Sequence, residues 1–156
     1  MDNGLQAELK QTRPFKSPME EAFVALMRTA AVLEHALETE LKPLGITGTQ
    51  YNVLRILRGA GPDGLCRSEI GERMVRRVPD VTRLLDRLEE TGFIGRSRGG
   101  EDRRYVTTRI TPKGLEVLAT LDDVIARFHD QHLGTMSAEQ VQSLIQLLAH
   151  VRQTHT

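Results

Sequence analysis

The chain has 156 residues, about the size of one domain and long enough to bury a core without metal or disulfide staples. A single cysteine excludes an intrachain disulfide framework, and no apolar run approaches the roughly 18 residues of a membrane span. The 21 basic and 21 acidic residues cancel, so net charge alone does not indicate a nucleic-acid ligand. With no signal-peptide core at the N-terminus, a soluble, cytoplasmic protein is expected.

The first part of the chain predicts two helices after an irregular start. Residues 1–16 are polar and aperiodic, and we expect a flexible N-terminus there. Ser17-Pro-Met-Glu20 is a capping box with proline at the first helical position, and apolar residues then recur every three to four positions up to Leu41. Thr47-Gly-Thr-Gln50 is a second capping box, which opens a helix that stops at Gly59. The long apolar seam of the first helix indicates a partner helix.

The next segment predicts a helix-turn-helix. Leu65-Cys-Arg67 is a candidate strand, and Ser68 is a candidate cap for a short helix that reaches Met74. A second helix is expected over about 79–91, with Pro79 in its first turn. Its apolar residues have the spacing of one helical stripe: Val81, Leu84, Leu85 and Leu88. Two helices joined by so short a turn form the helix-turn-helix unit.

A wing and two more helices are expected beyond Gly92. The hydrophobic period changes from helical to two, which predicts strands over 93–98 and 104–110 around a charged tip. Thr111-Pro112 begins the next helix, and Ser137-Ala-Glu-Gln140 is a third capping box that begins the last one. The chain therefore predicts a mainly α (α+β) fold: a winged helix-turn-helix between N- and C-terminal helices, with about six helices and a small β-hairpin wing.

Charge is unevenly distributed along the chain. From Arg67 to Arg109 there are eleven arginines against eight acids, a balance of +3, which leaves ten bases and thirteen acids elsewhere. The planar fork of arginine pairs with phosphates and guanine edges. A helix with an outward polar face beside a basic hairpin tip matches the major groove and backbone of duplex DNA. Double-stranded DNA is therefore the expected partner.

Four motifs between Val78 and Gly114 carry a family resemblance. They are Thr82-Arg-Leu-Leu-Asp-Arg-Leu-Glu89, Gly92-Phe-Ile-Gly-Arg96, Asp102-Arg-Arg104 and Thr111-Pro-Lys-Gly114. Together they resemble the recognition helix and wing of the MarR family of bacterial transcriptional regulators. The pattern of apolar faces extends the resemblance from Ser17 onward.

The resemblance implies a homodimer that binds a pseudo-palindromic operator, usually as a repressor, and releases it when a small aromatic or phenolic effector binds. It implies a helical dimerisation region over 17–45 and 112–156, and a winged helix-turn-helix DNA-binding lobe over 46–111. The apolar seam of the last helix fits such an interface: Val141, Leu144, Leu148 and Val151. Two-fold symmetry would then present two recognition helices to successive major grooves.

We expect DNA contacts at two places. At or near the groove-entering end of the recognition helix, the candidates are Arg76, Arg77, Asp80, Thr82 and Arg83. In the wing, the candidates are Arg98, Asp102, Arg103 and Arg104. The resemblance implies that Asp102 holds the Arg104 guanidinium in one rotamer for insertion into the minor groove. The alternative at both places is a solvated surface, with the helix charges in ordinary i,i+3 and i,i+4 pairs.

The effector pocket implied by the resemblance would lie between the dimerisation helices and the DNA-binding lobe. Its candidate residues are Leu33, His35, Leu37, Tyr51 and Arg55. No sequence feature selects the ligand.

Other functions have less support. The sequence has no glycine-rich phosphate loop, no Ser/His/Asp arrangement and no pair of carboxylates in an apolar frame, so no catalytic residue, cofactor or metal site is expected. Redox sensing at Cys66, or metal binding at His129 and His132, would make the protein a sensor of the same fold, but two histidines without a third ligand are a weak signal. A winged helix used only as a protein-interaction module is the other alternative, and it would expose apolar residues instead of arginines.

Overall fold

The computed structural model describes residues 4–98 and 105–153, and the chain divides into two compact units, residues 1–48 and 49–156. The helices in the described ranges are α1 (Gly4–Glu8), α2 (Pro18–Leu41), α3 (Gly48–Ala60), α4 (Arg67–Arg73), α5 (Val81–Glu90), α6 (Pro112–Leu133) and α7 (Ala138–Gln153). The strands are β1 (Leu65–Cys66), β2 (Ile94–Arg98) and β3 (Val106–Ile110). This element order confirms the predicted mainly helical winged helix-turn-helix fold.

The capping box predicted at the start of α2 forms in part. The Ser17 hydroxyl accepts a hydrogen bond from the Glu20 N–H at 3.2 Å, and Pro18 occupies the first turn. The Glu20 carboxylate accepts from the Lys16 N–H at 2.6 Å rather than from Ser17, so only half of the capping box forms.

The residues before Ser17 include a helix that the sequence does not predict. Gly4–Glu8 form α1, and the Glu8 carboxylate pairs with Arg28 of α2 at 2.7 Å. Both side chains are about half exposed, so the ion pair contributes at most about 1 kcal/mol. Five residues are too few to show a hydrophobic period, which explains why about six helices were expected and seven are found in the described part of the chain.

The cap of α4 differs from the prediction. The helix begins at Arg67, and Cys66 is its N-cap, with the Cys66 N–H donating to the Glu69 carboxylate at 2.7 Å. The predicted cap, Ser68, lies inside the helix. A glutamate three residues after the cap, which accepts the cap N–H, replaces the hydroxyl that the prediction relied on.

The start of α5 is also shifted. The helix begins at Val81 rather than near Pro79, because Asp80 is the N-cap and its Oδ1 accepts from the Arg83 N–H at 2.9 Å. Pro79 therefore precedes the cap instead of lying in the first turn. The expected apolar stripe is partly confirmed, since Leu85 and Leu88 are buried.

The wing sheet has the order β1-β3-β2, and both pairings are antiparallel. Ile94 lies opposite Ile110, and Leu65 lies opposite Thr108 on the other edge of β3. This register confirms the predicted hairpin, and the candidate strand at Leu65 pairs with it. The sheet packs with an aliphatic core whose buried members in the second unit include Val53, Leu54, Leu57, Ile70, Leu118 and Leu121.

A tight junction joins the C-terminal end of α5 to the start of α6. The Thr111 hydroxyl accepts from the Gly114 N–H at 3.1 Å and donates to the Gly92 carbonyl at 2.6 Å. Gly92 adopts the left-handed conformation at φ 77°, as expected for the residue that ends a helix. A Cβ at Gly114 would collide with the Phe93 carbonyl oxygen, so this glycine lets the two backbones approach.

Gly114→Ala is therefore expected to destabilise the fold by about 2 kcal/mol, because the backbone must shift to relieve the clash. Equilibrium unfolding in urea measures the effect. Gly59→Ala is the matched control, since nothing lies within 4 Å of its Cβ position in α3 and alanine is the better helix former. Equal stability of the Gly114→Ala variant and the wild type would contradict this account of the junction.

Helices α2 and α7 carry exposed apolar residues. On α2, Met19, Phe23, Leu26 and Met27 recur at helical spacing; we call them the α2 stripe. Phe23 is 65% exposed and Met19 74%. No residue of α7 within the described range is buried, and Ile145 and Leu147 of that helix are exposed. Contiguous exposed apolar side chains of this kind mark interaction surfaces.

Candidate nucleic-acid interface

The start of α5 is exposed and rich in arginine. Arg76 and Arg77 precede the helix, Arg83 lies in its first turn, and all three are exposed. The N-terminus of a helix carries partial positive charge, which adds to these arginines and favours a phosphate. The Asp80 carboxylate, predicted near base edges, caps the helix instead of projecting freely, and a contact between Asp80 and DNA remains a prediction.

A buried amide holds the turn that leads to these arginines. Asn52 of α3 is buried, and its Oδ1 accepts a hydrogen bond from the Val75 N–H at 3.0 Å. A buried amide without a partner would cost about 1–3 kcal/mol, so this bond fixes the turn between α4 and α5. Sequence patterns missed Asn52 because it lies among the apolar residues of α3.

The helices of the helix-turn-helix meet at Thr82. The Arg67 Nη1 donates to the Thr82 Oγ1 at 3.0 Å, across the starts of α4 and α5. A guanidinium can only donate, so the Thr82 oxygen acts as the acceptor here and its O–H remains available as a donor. Arg67 was not among the predicted site residues, although it is the first arginine of the basic segment.

The described part of the wing consists of its two strands, β2 and β3. Arg98 ends β2 and is exposed, whereas the predicted contacts Asp102, Arg103 and Arg104 lie outside the described residues. On β3, Arg109 donates through Nε to the Pro62 carbonyl at 2.8 Å and through Nη1 to the Ser97 hydroxyl at 2.9 Å. These bonds link the turn before β1 to both strands of the hairpin.

A cluster of charges joins the wing to the recognition helix. Arg96 on β2 binds both carboxylate oxygens of Glu89, and it also binds Asp86; both acids belong to α5. The hydrogen bond from Arg96 lowers the pKa of Glu89, and the two carboxylates raise the pKa of Arg96. By sequence alone, Arg96 is one of the basic charges of the hairpin. In the structure it belongs to an ion-pair cluster within the protein.

The lowered pKa of Glu89 predicts a pH-dependent stability. A carboxylate whose pKa is lower in the folded state stabilises the fold above its ordinary pKa, and this contribution is lost as the pH falls through the lowered value. The wild type should therefore be more stable than Glu89→Gln at pH 7, and the two should converge as the pH falls below about 4. Urea unfolding across this range measures the difference. A difference that is constant with pH would contradict the prediction.

The predicted effector residues lie on two helices. Leu33, His35 and Leu37 are on α2, where the leucines are half-buried and the histidine is exposed. Tyr51 and Arg55 are on α3, half-buried and exposed respectively. Their role in binding a ligand remains a prediction.

Residues of the alternative sensor interpretation have partners within the protein. Cys66 caps α4, and its Sγ lies 3.0 Å from the Ser68 hydroxyl. The His132 ring packs on Phe128 with a centroid distance of 4.3 Å. Within residues 4–98 and 105–153, no three His, Cys, Asp or Glu side chains are grouped to hold a metal ion. Among the described helices, none combines the length and the apolar composition that a membrane span needs.

The structure has a short helix, a turn and a second helix with an exposed basic start, and the hairpin that follows belongs to the same sheet as β1. These elements define a winged helix-turn-helix of the DNA-binding class. The comparisons with known proteins agree. The MarR family model matches residues 46–106. A MarR transcription factor from Planctomyces limnophilus is 34% identical, covers 87% of this chain and 98% of its own, and superposes with a TM-score of 0.68.

Two further solved structures extend the likeness. A mutant of MarR from E. coli, solved in complex with operator DNA, is 25% identical over 86% of this chain and 99% of its own, with a TM-score of 0.72. AbsC, a MarR family transcriptional regulator from Streptomyces coelicolor, shares the fold at 20% identity over 91% and 97%, with a TM-score of 0.81. The chain belongs to the MarR family of transcription regulators.

Proposed function

We propose that the protein is a homodimeric, ligand-responsive repressor that binds double-stranded DNA sequence-specifically at a pseudo-palindromic operator. The observation that carries the proposal is the exposed arginine group at the start of α5, Arg76, Arg77 and Arg83, beside a hairpin wing. The related E. coli regulator in complex with operator DNA supports the same use of the fold.

The α2 stripe supports the homodimer. Phe23 and Met27 are large apolar side chains left exposed by their own chain, and a second copy offers the same surface, as a two-fold interface requires. We therefore assign dimerisation to 17–45 and 112–156 and DNA binding to 46–111, with residues 1–16 in neither region.

The DNA contacts are proposed in two groups. Around α5, Arg76 and Arg77 bind phosphates, and Asp80, Thr82 and Arg83 lie near base edges. Because Arg67 donates to Thr82, the Thr82 hydroxyl is oriented to donate to a base or phosphate acceptor. In the wing, Arg98 and Arg103 bind the backbone, while Arg104, oriented by Asp102, enters the minor groove.

The effector is proposed to be a small aromatic or phenolic compound that contacts Leu33, His35, Leu37, Tyr51 and Arg55. It must bind the DNA-free spacing of the two recognition helices more tightly than the DNA-bound spacing, since only a difference in affinity shifts the equilibrium. With a panel of aromatic acids as probes, Tyr51→Ala should raise the concentration needed to release operator DNA.

The experiment that tests the proposed function is the salt dependence of binding to duplex fragments from the gene's own upstream region, between about 50 and 200 mM salt. The proposal predicts a steep loss of affinity with salt and one preferred palindrome. A flat dependence without sequence preference would support the protein-interaction module instead.

A further inference from the structure

The cluster around Arg96 is the densest set of charged contacts between two elements of the described interface. The Arg96 Nη2 lies 2.5 Å from the Asp86 Oδ1 and 2.6 Å from the Glu89 Oε2. The Arg96 Nε donates to the Glu89 Oε2 at 2.9 Å, and the backbone N–H donates to the Glu89 Oε1 at 3.1 Å. Four hydrogen bonds thus connect one residue of β2 to two residues of α5.

These contacts make Arg96 a poor ligand for the phosphates of DNA. Two carboxylates face one guanidinium, so the cluster carries a net negative charge and repels a phosphate. The Arg96 side chain is only 23% exposed, whereas Arg98, two residues further on the same face of β2, is exposed. An arginine that is mostly buried and paired with two carboxylates holds the elements it joins in place rather than binding a ligand.

The cluster lies where it can set the direction of the wing. Three residues separate the end of α5 at Glu90 from the start of β2 at Ile94, and on its other side the hairpin is held by the pairing of β3 with β1. Arg96 adds the side-chain attachment of β2 to α5, two residues along the strand, and so joins the wing directly to the recognition helix.

We propose that Arg96 is a positioning residue: it holds the wing at a fixed angle to the recognition helix, so that the wing reaches the minor groove when α5 occupies the major groove. The inference rests on the proposed function, because it assumes that both elements contact DNA. It gives Arg96, Asp86 and Glu89 a role in the relative placement of the recognition helix and the wing, and it gives them no direct contact with DNA.

The test compares Arg96→Gln with Arg98→Gln on the preferred operator, by binding at several salt concentrations and by hydroxyl-radical footprinting. Arg96→Gln should lower the affinity about tenfold and reduce the salt slope by the backbone contacts of the whole wing, because the displaced wing no longer reaches the DNA. Its footprint should lose the protection given by the wing and keep that given by α5. Arg98→Gln should reduce the salt slope by about one phosphate.

A charge exchange keeps the test decisive if Arg96→Gln folds poorly. Arg96→Glu alone should lose the wing footprint, and the double variant Glu89→Arg with Arg96→Glu should regain it, because the ion pair reforms with the charges exchanged. An anionic residue at position 96 cannot bind a phosphate, so recovery of the wing footprint excludes a direct phosphate contact at this position.

The other outcomes overturn the inference. A salt slope reduced by about one phosphate for Arg96→Gln, with the wing footprint kept and no recovery in the exchanged variant, would show a direct phosphate contact. An unchanged affinity and footprint would show that the cluster does not set the wing. Failure of the wild type to bind any duplex specifically would instead overturn the proposed function, and the inference with it.

Discussion

Phe23→Glu is expected to convert the protein into a monomer and to lower its operator affinity at least about a hundredfold. The Phe23 side chain is 65% exposed in the single chain, so the substitution leaves the subunit fold intact. In a two-fold interface it would bury two carboxylates against apolar side chains, and this cost prevents association. A monomer loses the second recognition helix and with it the combined affinity of two linked sites.

Light scattering should report about 17.5 kDa for the variant and twice that value for the wild type. Glu21→Gln is the control, because Glu21 is exposed on the opposite side of α2 and the substitution also changes the charge by one unit, in the opposite direction. A Phe23→Glu variant that remains dimeric with full affinity would place the interface elsewhere.

Arg83→Ala is expected to weaken operator binding by about 1–3 kcal/mol, roughly fivefold to more than a hundredfold, and to relax base preference at one position of each half-site. Arg83 lies in the first turn of α5, where a recognition helix meets base edges, and its side chain is exposed. Its backbone N–H is bound by Asp80, so the helix start is preserved when the side chain is removed.

Gel shifts on a panel of single-base operator variants measure both effects. Arg13→Ala removes the same charge from an exposed position outside both the dimerisation region and the DNA-binding lobe, and it should leave binding unchanged. If Arg83→Ala bound every operator variant as the wild type does, Arg83 would be a solvated surface residue.

The sequence predicts those parts of the fold that depend on neighbouring residues. The Ser137 and Gln140 pair forms the full reciprocal capping box, with hydrogen bonds of 3.2 and 2.8 Å, because both partners lie within one helical turn. Thr111 caps α6 as predicted for the same reason. The change of period after Gly92 correctly predicts the hairpin, since alternation is a local property of a strand.

The features that the sequence missed depend on contacts between distant elements. Arg96 reads as one more basic residue of the wing until the fold brings it against Glu89 and Asp86. Asn52 has no visible role in α3 until its amide meets the Val75 N–H, 23 residues away. At the two misplaced helix starts, the carboxylates of Glu69 and Asp80 accept backbone N–H groups and so fix where α4 and α5 begin. The prediction relied instead on Ser68 and Pro79.

The same limit applies to the interface. Composition and spacing located the basic helix start, but they could not separate an arginine that faces solvent, such as Arg98, from one that is paired within the protein, such as Arg96. Separating the two requires the three-dimensional positions of the acids on α5.

The most direct measurement of the central claim is a hydroxyl-radical footprint of the wild type on its preferred upstream fragment, combined with the stoichiometry of the complex. Two chains bound per operator, with two symmetric protected segments centred about one helical turn, roughly 10 base pairs, apart, are the predicted result. One chain bound to one protected segment, or segments without a dyad between them, would contradict it.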